Sequence, residues 1–130
     1  MKKKFSRMWI SSKQPRKQRK YRYNAPMHRR QKMLGAHISK ELRKEIKKRS
    51  MSLRTNDEVK IMRGEFAKLV GKVTEIDLKK MKVFTDVAKR KKANGHEVSV
   101  PLDPSNLMIT KINLDDRMRK KIISRKETKK

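Results

Sequence analysis

Residues 59–76 read VKIMRGEFAKLVGKVTEI, and this pattern predicts a strand, a glycine turn and a second strand. Val59 and Ile61 flank a polar residue, which is the two-residue period of a half-buried strand. A second apolar run opens at Val73 and reaches Ile76. These two runs give an otherwise basic polypeptide a compact β signature.

Two glycines are expected to set the geometry between these strands. Gly64 lies where the chain must reverse, a position that favours a positive φ. Gly71 lies inside the second strand, where a glycine indicates a β-bulge or a close approach of the backbone. A pair of strands kinked in this way suits a small, strongly bent barrel.

The composition is strongly basic. Forty Lys and Arg against thirteen Asp and Glu give a formal net charge of +27 over 130 residues. Such a charge opposes the compact state of a free globular protein but favours binding to a polyphosphate, so nucleic acid is the leading partner. Apolar residues make up 34% of the chain, enough for one small core. We therefore expect one folded domain with basic tails.

The positive charge is concentrated in residues 1–52, and we expect residues 1–36 of this segment to form an extended basic arm. The first acidic residue is Glu41, and the like charges before it repel one another. Pro15 and Pro26 interrupt residues 13–32, which have no helical period. We expect the arm to become ordered against RNA or DNA. The alternative is a disordered tail that serves solubility alone.

Four of the six aromatic residues lie in this arm: Phe5, Trp9, Tyr21 and Tyr23. Rings interleaved with Arg and Lys can stack on unpaired bases while their neighbours neutralise phosphates. We expect such stacking of Tyr21 and Tyr23. The alternative is that the rings anchor the arm to a neighbouring protein, and for Trp9 the two interpretations have equal weight.

A short helix and connector are expected at residues 37–52. Ser39 is a suitable N-cap, and Glu41 lies in the first turn, where the helix dipole favours an acid. Leu42 and Ile46 form a narrow apolar stripe. This favours a helix that packs on the barrel as a strut over one that forms a binding groove.

Residues 53–114 are expected to form a barrel. Alternating apolar residues at 81–87 predict a strand that pairs with the one ending near Asp77. Asn94 and Gly95 are a strong hairpin-turn signal, and a last short strand follows the prolines beyond them. Five short strands with tight links predict a mainly β fold, a small SH3-like β-barrel.

Residues 115–130 are expected to form a basic C-terminal helix and tail. Asp115 or Asp116 would cap this helix. The three lysines after residue 125 would extend into solvent or onto phosphate.

Residues 59–76 resemble a KOW motif, the strand-turn-strand unit with alternating Val and Ile, a loop glycine, and a second glycine followed two residues later by Val. Many members carry another glycine where this chain has Lys68, which implies a less sharply turned and more cationic loop tip. The basic arm, SKELR at 39–43, KANG at 92–95 and PSN at 104–106 extend the resemblance. Together they are similar to the archaeal and eukaryotic form of the universal large-subunit ribosomal protein twenty-four family.

This resemblance implies a structural constituent of the large subunit of the cytoplasmic ribosome. Members of the family bind the 5′ domain of large-subunit rRNA early in assembly and lie near the exit of the nascent-peptide tunnel. The implied partners are this rRNA, neighbouring large-subunit proteins and factors at the tunnel exit. Neither a membrane nor a small-molecule substrate is implied.

We expect rRNA to contact cations and tyrosines of the arm and cations of three barrel loops, with recognition mainly of RNA shape. The arm residues are Lys13, Arg16, Lys17, Arg19, Lys20, Tyr21, Arg22, Tyr23, His28, Arg29, Arg30 and Lys32. The loop residues are Arg63, Lys68, Lys79, Lys80, Arg90, Lys91 and Lys92. The residues with a structural role in turns are Gly64, Gly71, Asn94 and Gly95.

The sequence gives little support for catalysis. His28, His37 and His96 stand far apart without metal-ligand spacing, and we find neither a nucleophile triad nor a phosphate-cradling glycine loop. The paired acids at 57–58 and 115–116 are interpreted as turn or cap residues. We expect no enzymatic activity, no metal and no cofactor.

Targeting signals are also weak. Residues 1–10 begin with basic residues but lack a sustained apolar run, so we expect no signal peptide, and no stretch approaches the length of a membrane span. An organellar transit peptide is the alternative. Because the chain has no cysteine, it cannot form disulfides or thiolate metal sites, which fits a reducing compartment.

Two functions of other classes remain open. A KOW barrel can be a protein-interaction module of a transcription elongation factor, but that family normally carries an additional α/β domain before the barrel, which this sequence does not suggest. A free nucleic-acid compacting protein would bind DNA and RNA with similar affinity and without a preferred rRNA site.

Overall fold

The computed structural model of the chain describes residues 5–6, 8–9 and 11–125, and its fold is mixed α/β rather than mainly β. The α-helices are α1 (Pro15–Asn24), α2 (Met27–Met33), α3 (Lys40–Ile46) and α4 (Arg117–Ser124), with a 3₁₀ turn at Pro104–Asn106. The strands are β1 (Gly35–Ile38), β2 (Ser50–Ser52), β3 (Glu58–Ile61), β4 (Val70–Asp77), β5 (Lys82–Thr85), β6 (Lys89–Lys91), β7 (Glu97–Ser99) and β8 (Leu107–Lys111).

Six strands form one sheet in the order β2-β1-β8-β3-β4-β5, and β6 pairs with β7 in a separate hairpin. Neighbouring strands are antiparallel except β1 and β8, which run parallel. The sheet ends at β2 and β5, so the closed SH3-like barrel expected from the sequence is not what the structure shows. The sequence predicts five strands, whereas the structure has eight. The three additional strands are β1 and β2, in the expected arm and connector, and β6, in an expected loop.

The core lies against one face of this sheet. Val59 and Ile61 of β3 are almost fully buried, as their alternation predicts. Ala36 and Ile38 of β1 alternate in the same way and are equally buried. The remaining apolar core residues are Leu34, Met51, Leu53, Val73, Val83, Ala88, Leu107 and Ile109.

The hairpin between β3 and β4 confirms the prediction for Gly64, whereas Gly71 pairs with Val59 without a bulge and is approached closely by side chains. Gly64 has a φ of +94°, which a side chain would disfavour. A Cβ on Gly71 would lie 2.3 Å from Oδ1 of Asp86 and 2.7 Å from a methyl group of Val87. Since Oδ1 of Asp86 accepts a hydrogen bond from the backbone N–H of Lys72 at 2.9 Å, the bare glycine lets the segment after β5 close onto β4.

The loop tip of this hairpin differs from the expectation. Lys68 has a φ of +73°, a left-handed conformation that costs a residue with a side chain about 1–2 kcal/mol. The tip is therefore as sharply turned as it would be with glycine, and the backbone N–H of Lys68 donates to the carbonyl of Ile61 at 2.8 Å. The second strand also begins at Val70 rather than at Val73.

The other hairpins follow their turn signals. β5 pairs antiparallel with β4 next to Asp77, as predicted. Gly95 has a φ of +80° in the turn between β6 and β7, so the hairpin at Asn94 and Gly95 is also confirmed.

Both predicted helix caps are present. Oγ of Ser39 accepts from the N–H of Leu42 at 3.4 Å at the start of α3. Oδ1 of Asp116 accepts from the N–H of Met118 at 2.8 Å at the start of α4. The basic tail expected after residue 125 lies outside the described residues.

The prediction that the arm is extended is wrong for residues 15–33, which form α1 and α2. Pro15 is the first residue of α1, a position where proline suits a helix start. Pro26 is the N-cap of α2, so it precedes the helical residues and its missing N–H breaks no bond within the helix. Lys, Arg and Gln are good helix formers, and α1 buries none of its residues, so no apolar period was needed. The prolines therefore mark where these helices begin.

One buried side chain fastens α4 to the sheet. Arg119 is 2% exposed and reaches the carboxylate of Asp57, which is fully buried in the turn before β3. The guanidinium also donates to the carbonyls of Asn113 at 3.1 Å and Ser52 at 3.3 Å. Asp57 also accepts a hydrogen bond from the backbone N–H of Arg54 at 2.9 Å, which is the turn role expected from the sequence. Its pairing with Arg119 is a second role that the sequence did not indicate.

Candidate nucleic-acid interface

The arm cations predicted to bind RNA lie on two adjacent helices. Lys13 precedes α1. Those on α1, with its two tyrosines, are Arg16, Lys17, Arg19, Lys20, Tyr21, Arg22 and Tyr23. Those on α2 are His28, Arg29, Arg30 and Lys32. Because α1 and α2 are connected by Ala25 and Pro26 alone, one corner sets the direction of both rows of charge.

Arg30 holds this corner against the sheet. Its Nε donates to the carbonyl of Ala25 at 3.0 Å, and its Nη2 donates to the carbonyl of Tyr23 at 2.5 Å. Its Nη1 donates to the carbonyl of Lys79, in the turn between β4 and β5, at 2.8 Å. Arg30 therefore joins α1, α2 and that turn. No local pattern in the sequence indicates this positioning role, since the contact spans 49 residues.

The turn between β4 and β5 has its own support. Oδ1 of Asp77 accepts from the backbone N–H of Lys79 at 2.8 Å and from that of Lys80 at 3.0 Å. The N–H of Lys80, then that of Lys79 and the two nearby ammonium charges, hold the pKa of the Asp77 carboxyl below its usual value. Both lysines thus project from a fixed backbone.

We call the three hydrogen bonds of Arg30 the clamp. The clamp brings cations of the arm and of the turn together around one cleft, which we call the arm–loop cleft. It has a volume of about 320 Å³. The residues that line it are Arg19, Arg22, Tyr23, Lys79, Lys80 and Met81. Its described lining contains four cations and no acid, and Tyr23, which also lines it, is 77% exposed. Such a concentration of positive charge beside an exposed ring suits a phosphate chain carrying bases.

The remaining loop cations form a second group. Arg63 and Lys68 lie in the loop between β3 and β4 and Lys92 lies in the turn after β6, whereas Arg90 and Lys91, predicted as loop residues, lie in strand β6. Arg90 of β6 forms an ion pair with Glu65 of the first loop, which ties the β6–β7 hairpin to that loop. Since both partners are well exposed, the pair contributes little to stability.

The aromatic residues of the arm have two different environments. Tyr21 is half-buried and contacts the rings of Phe5 and Trp9, whereas Tyr23 extends into solvent. Base stacking by Tyr21 and Tyr23 stays a prediction. The pairing of Tyr21 with residues 5 and 9 had no signal in the spacing of the sequence.

Two further observations apply to the part of the chain that the structure describes. In that part, no group of three or more His, Asp or Glu residues could hold a metal ion. Over the same residues, no helix is both long enough and apolar enough to span a bilayer.

Comparison with known proteins gives concordant matches. Residues 12–126 match the family described as ribosomal proteins, L26 in eukaryotes and L24 in archaea. The chain is 52% identical over 114 residues to the large ribosomal subunit protein uL24 of Methanothrix thermoacetophila, covering 88% of this chain and 98% of that protein. The uL24 protein of Methanocorpusculum labreanum is 50% identical over 110 residues, covering 85% and 91%. That of Methanosphaera stadtmanae is 44% identical over 115 residues, covering 88% and 98%.

Proposed function

Since the chain belongs to the family of eukaryotic L26 and archaeal L24 ribosomal proteins and is a structural constituent of the large ribosomal subunit, we propose that it binds large-subunit rRNA through the arm–loop cleft. The family is a structural rather than an enzymatic class of protein and works in the cytoplasmic ribosome. Its implied partners are rRNA and other ribosomal proteins.

The observation that carries this proposal is the clamp made by Arg30. Cations on a free arm would be spread by mutual repulsion, whereas three hydrogen bonds from one guanidinium hold α1 beside the turn between β4 and β5. The repulsion between Arg19, Arg22, Lys79 and Lys80 is thus built into the folded chain. Phosphate groups relieve it, so binding to RNA releases counterions and restores charge balance.

Recognition in this arrangement depends on the shape of the RNA. The lysines and arginines of the cleft present charge and N–H donors, which suit phosphate oxygens and carry little base information. The second group of cations, which includes Lys68 and Lys92, supplies a further contact from the β6–β7 side of the molecule. We propose that the two groups grip separate backbone segments of a folded rRNA domain.

The finer assignment is the 5′ domain of large-subunit rRNA, bound early in assembly, with the protein near the nascent-peptide tunnel exit. The resemblance of residues 59–76 and their flanks to the family supports this assignment. Factors that act at the tunnel exit are further proposed partners. The net charge of +27 supports an environment dominated by polyphosphate.

Crosslinking in living cells, followed by sequencing of the attached RNA, tests the proposal. We expect one cluster of crosslinks near the 5′ end of large-subunit rRNA. The same experiment with Arg19→Gln and Lys79→Gln combined is expected to weaken this cluster. The charge-matched control, Lys40→Gln and Lys44→Gln in α3, is expected to leave it unchanged. Scattered RNA sites, or recovery of RNA polymerase in place of ribosomes, would contradict the proposal and favour a compacting protein or an elongation-factor module.

A further inference from the structure

Three aromatic rings meet at the start of the described chain. The ring centroids of Trp9 and Tyr21 lie 4.6 Å apart with an interplanar angle of 30°, a stacked arrangement. Those of Phe5 and Tyr21 lie 4.9 Å apart at 39°. Residues 5 and 9 precede residue 12, where the family match begins. The cluster therefore combines α1, which lies within the family match, with two residues that lie outside it.

The rings enclose a pocket rather than a closed core. Its volume is about 290 Å³, and Lys17, Lys20 and Asn24 line it together with the three rings. Pockets for drug-sized ligands span roughly 300–1,000 Å³, so this one suits a single planar group. All three rings are half-buried, whereas the apolar residues of the main core are at most 9% exposed. Ring surface thus remains available to a ligand.

We propose that this aromatic pocket binds one unpaired nucleobase of the rRNA, an inference that rests on the proposed function. A base presents a flat π face that stacks on Trp9 or Tyr21. The phosphates on either side of the base meet the exposed ammonium groups of Lys17 and Lys20. The amide of Asn24 offers both a donor and an acceptor to the edge of the base.

Charge favours RNA over a protein side chain as the occupant. The described lining contains two lysines and no acid. An aromatic or aliphatic side chain from a neighbouring protein would fill the pocket beside the rings but would leave these lysines without counter-charge. A nucleotide satisfies both features with one group. The arm–loop cleft would then read the RNA backbone, while the aromatic pocket requires a base that is out of the helical stack.

The fluorescence of Trp9, the chain's single tryptophan, reports directly on the pocket. The full chain is titrated with an unstructured oligoribonucleotide and with an abasic chain that carries the same number of phosphates. We expect the oligoribonucleotide to quench the emission and the abasic chain to bind with a much smaller change. Equal quenching by both would show that charge alone perturbs Trp9 and would overturn the proposal.

Binding to two RNA hairpins of equal length, one fully paired and one with a single bulged nucleotide, provides the second readout. We expect Trp9→Ala to weaken binding to the bulged hairpin by about 5-fold or more and to leave binding to the paired hairpin nearly unchanged. Trp9→Phe, which keeps a ring, is expected to retain most of the preference. Met8→Ala is the matched control, since Met8 is 87% exposed and does not line the pocket.

The outcomes separate this inference from the proposed function. If both hairpins bind equally well before and after Trp9→Ala, while binding still depends on the cations of the arm–loop cleft, the pocket is not a base site and the proposed function stands. If the emission responds to a neighbouring ribosomal protein and not to RNA, the occupant is a protein and the inference is overturned. Loss of any preference for rRNA over simple polyphosphate would remove the proposed function as well.

Discussion

Arg119 donates to both carboxylate oxygens of Asp57, at 2.6 and 2.7 Å, across 62 residues of sequence. The pair is buried, and its other polar groups are satisfied as well: Asp57 accepts from the backbone N–H of Asn113 at 2.9 Å, and Nε of Arg119 contacts the sulfur of Met51 at 3.3 Å. A bidentate pair of this kind fixes orientation as well as distance. It determines where α4 lies on the sheet.

Breaking this pair is expected to destabilise the fold strongly. Arg119→Met leaves the Asp57 carboxylate buried without its counter-charge, and we expect a loss of about 3–5 kcal/mol in the free energy of unfolding, measured with urea. Adding Asp57→Asn removes the charge but keeps an acceptor for the backbone, so part of the loss is recovered. Arg117→Met, on the exposed side of α4, is the matched control and is expected to change stability by less than about 0.5 kcal/mol. Equal losses for Arg119→Met and Arg117→Met would contradict this role.

Replacing Lys68 by glycine is expected to stabilise the protein. The φ of +73° at this position is unfavourable for a residue with a Cβ by about 1–2 kcal/mol, and glycine removes this cost. Glycine also loses more conformational entropy on folding, which costs about 0.5–1 kcal/mol. The net gain is about 1 kcal/mol or less, seen as a higher urea midpoint. Lys68→Ala removes the same charge but keeps the Cβ, so it should give no such gain. Identical stabilities of the two variants would show that the turn is not strained.

The carboxyl of Asp77 gives the turn between β4 and β5 a defined pH dependence. Because its pKa is lowered in the folded chain, its contribution to stability is present above the usual value of 3.8 and is lost as the pH falls through the lower folded value. Asp77→Asn is therefore expected to be less stable near neutral pH and to converge with the unsubstituted chain in acid. Asp115→Asn is a suitable control. A stability difference that stays constant from neutral pH into acid would argue against the carboxylate as the cause.

Lysine is expected to substitute poorly for Arg30, unlike for the other arm cations. A lysine at this position keeps the charge but cannot reach three carbonyls, so Arg30→Lys is expected to lose about 1–3 kcal/mol of local stability. Hydrogen exchange of the Lys79 and Lys80 amides is expected to speed up, and rRNA affinity to fall without a change in its salt dependence. Arg29→Lys, on the same helix, should change neither. Unaltered exchange in Arg30→Lys would show that the clamp does not hold the turn.

Local signals in the sequence predicted the parts of the fold that depend on neighbours in the chain. Alternation at Val59 and Ile61, glycines at 64 and 95, and the capping side chains of Ser39 and Asp116 each have a cause within a few residues, and the structure agrees with them. The positive charge of the candidate site could also be predicted, because it follows from the number of lysines and arginines and does not depend on how the chain folds.

Features that depend on distant contacts were missed. The strand β1 pairs with β8, about 70 residues away, so nothing near His37 indicates its partner. The clamp of Arg30 and the pair of Arg119 with Asp57 were missed for the same reason. The chain has many arginines, and nothing in the sequence near these two indicates that they make distant contacts. For α1 the error was physical: an apolar period was required of a helix that buries no residue.

The salt dependence of rRNA affinity tests the arm–loop cleft most directly. One variant carries glutamine at Arg19, Arg22, Lys79 and Lys80, and a charge-matched control carries it at the exposed lysines of α3 and α4, which are Lys40, Lys44, Lys120 and Lys121. We expect the cleft variant to reduce the slope of log affinity against log salt by about 3, since each lost phosphate contact removes about 0.7–0.9, and the control to change it far less. An unchanged slope in the cleft variant, or an equal reduction in both, would contradict the assignment of the cleft as the rRNA-binding surface.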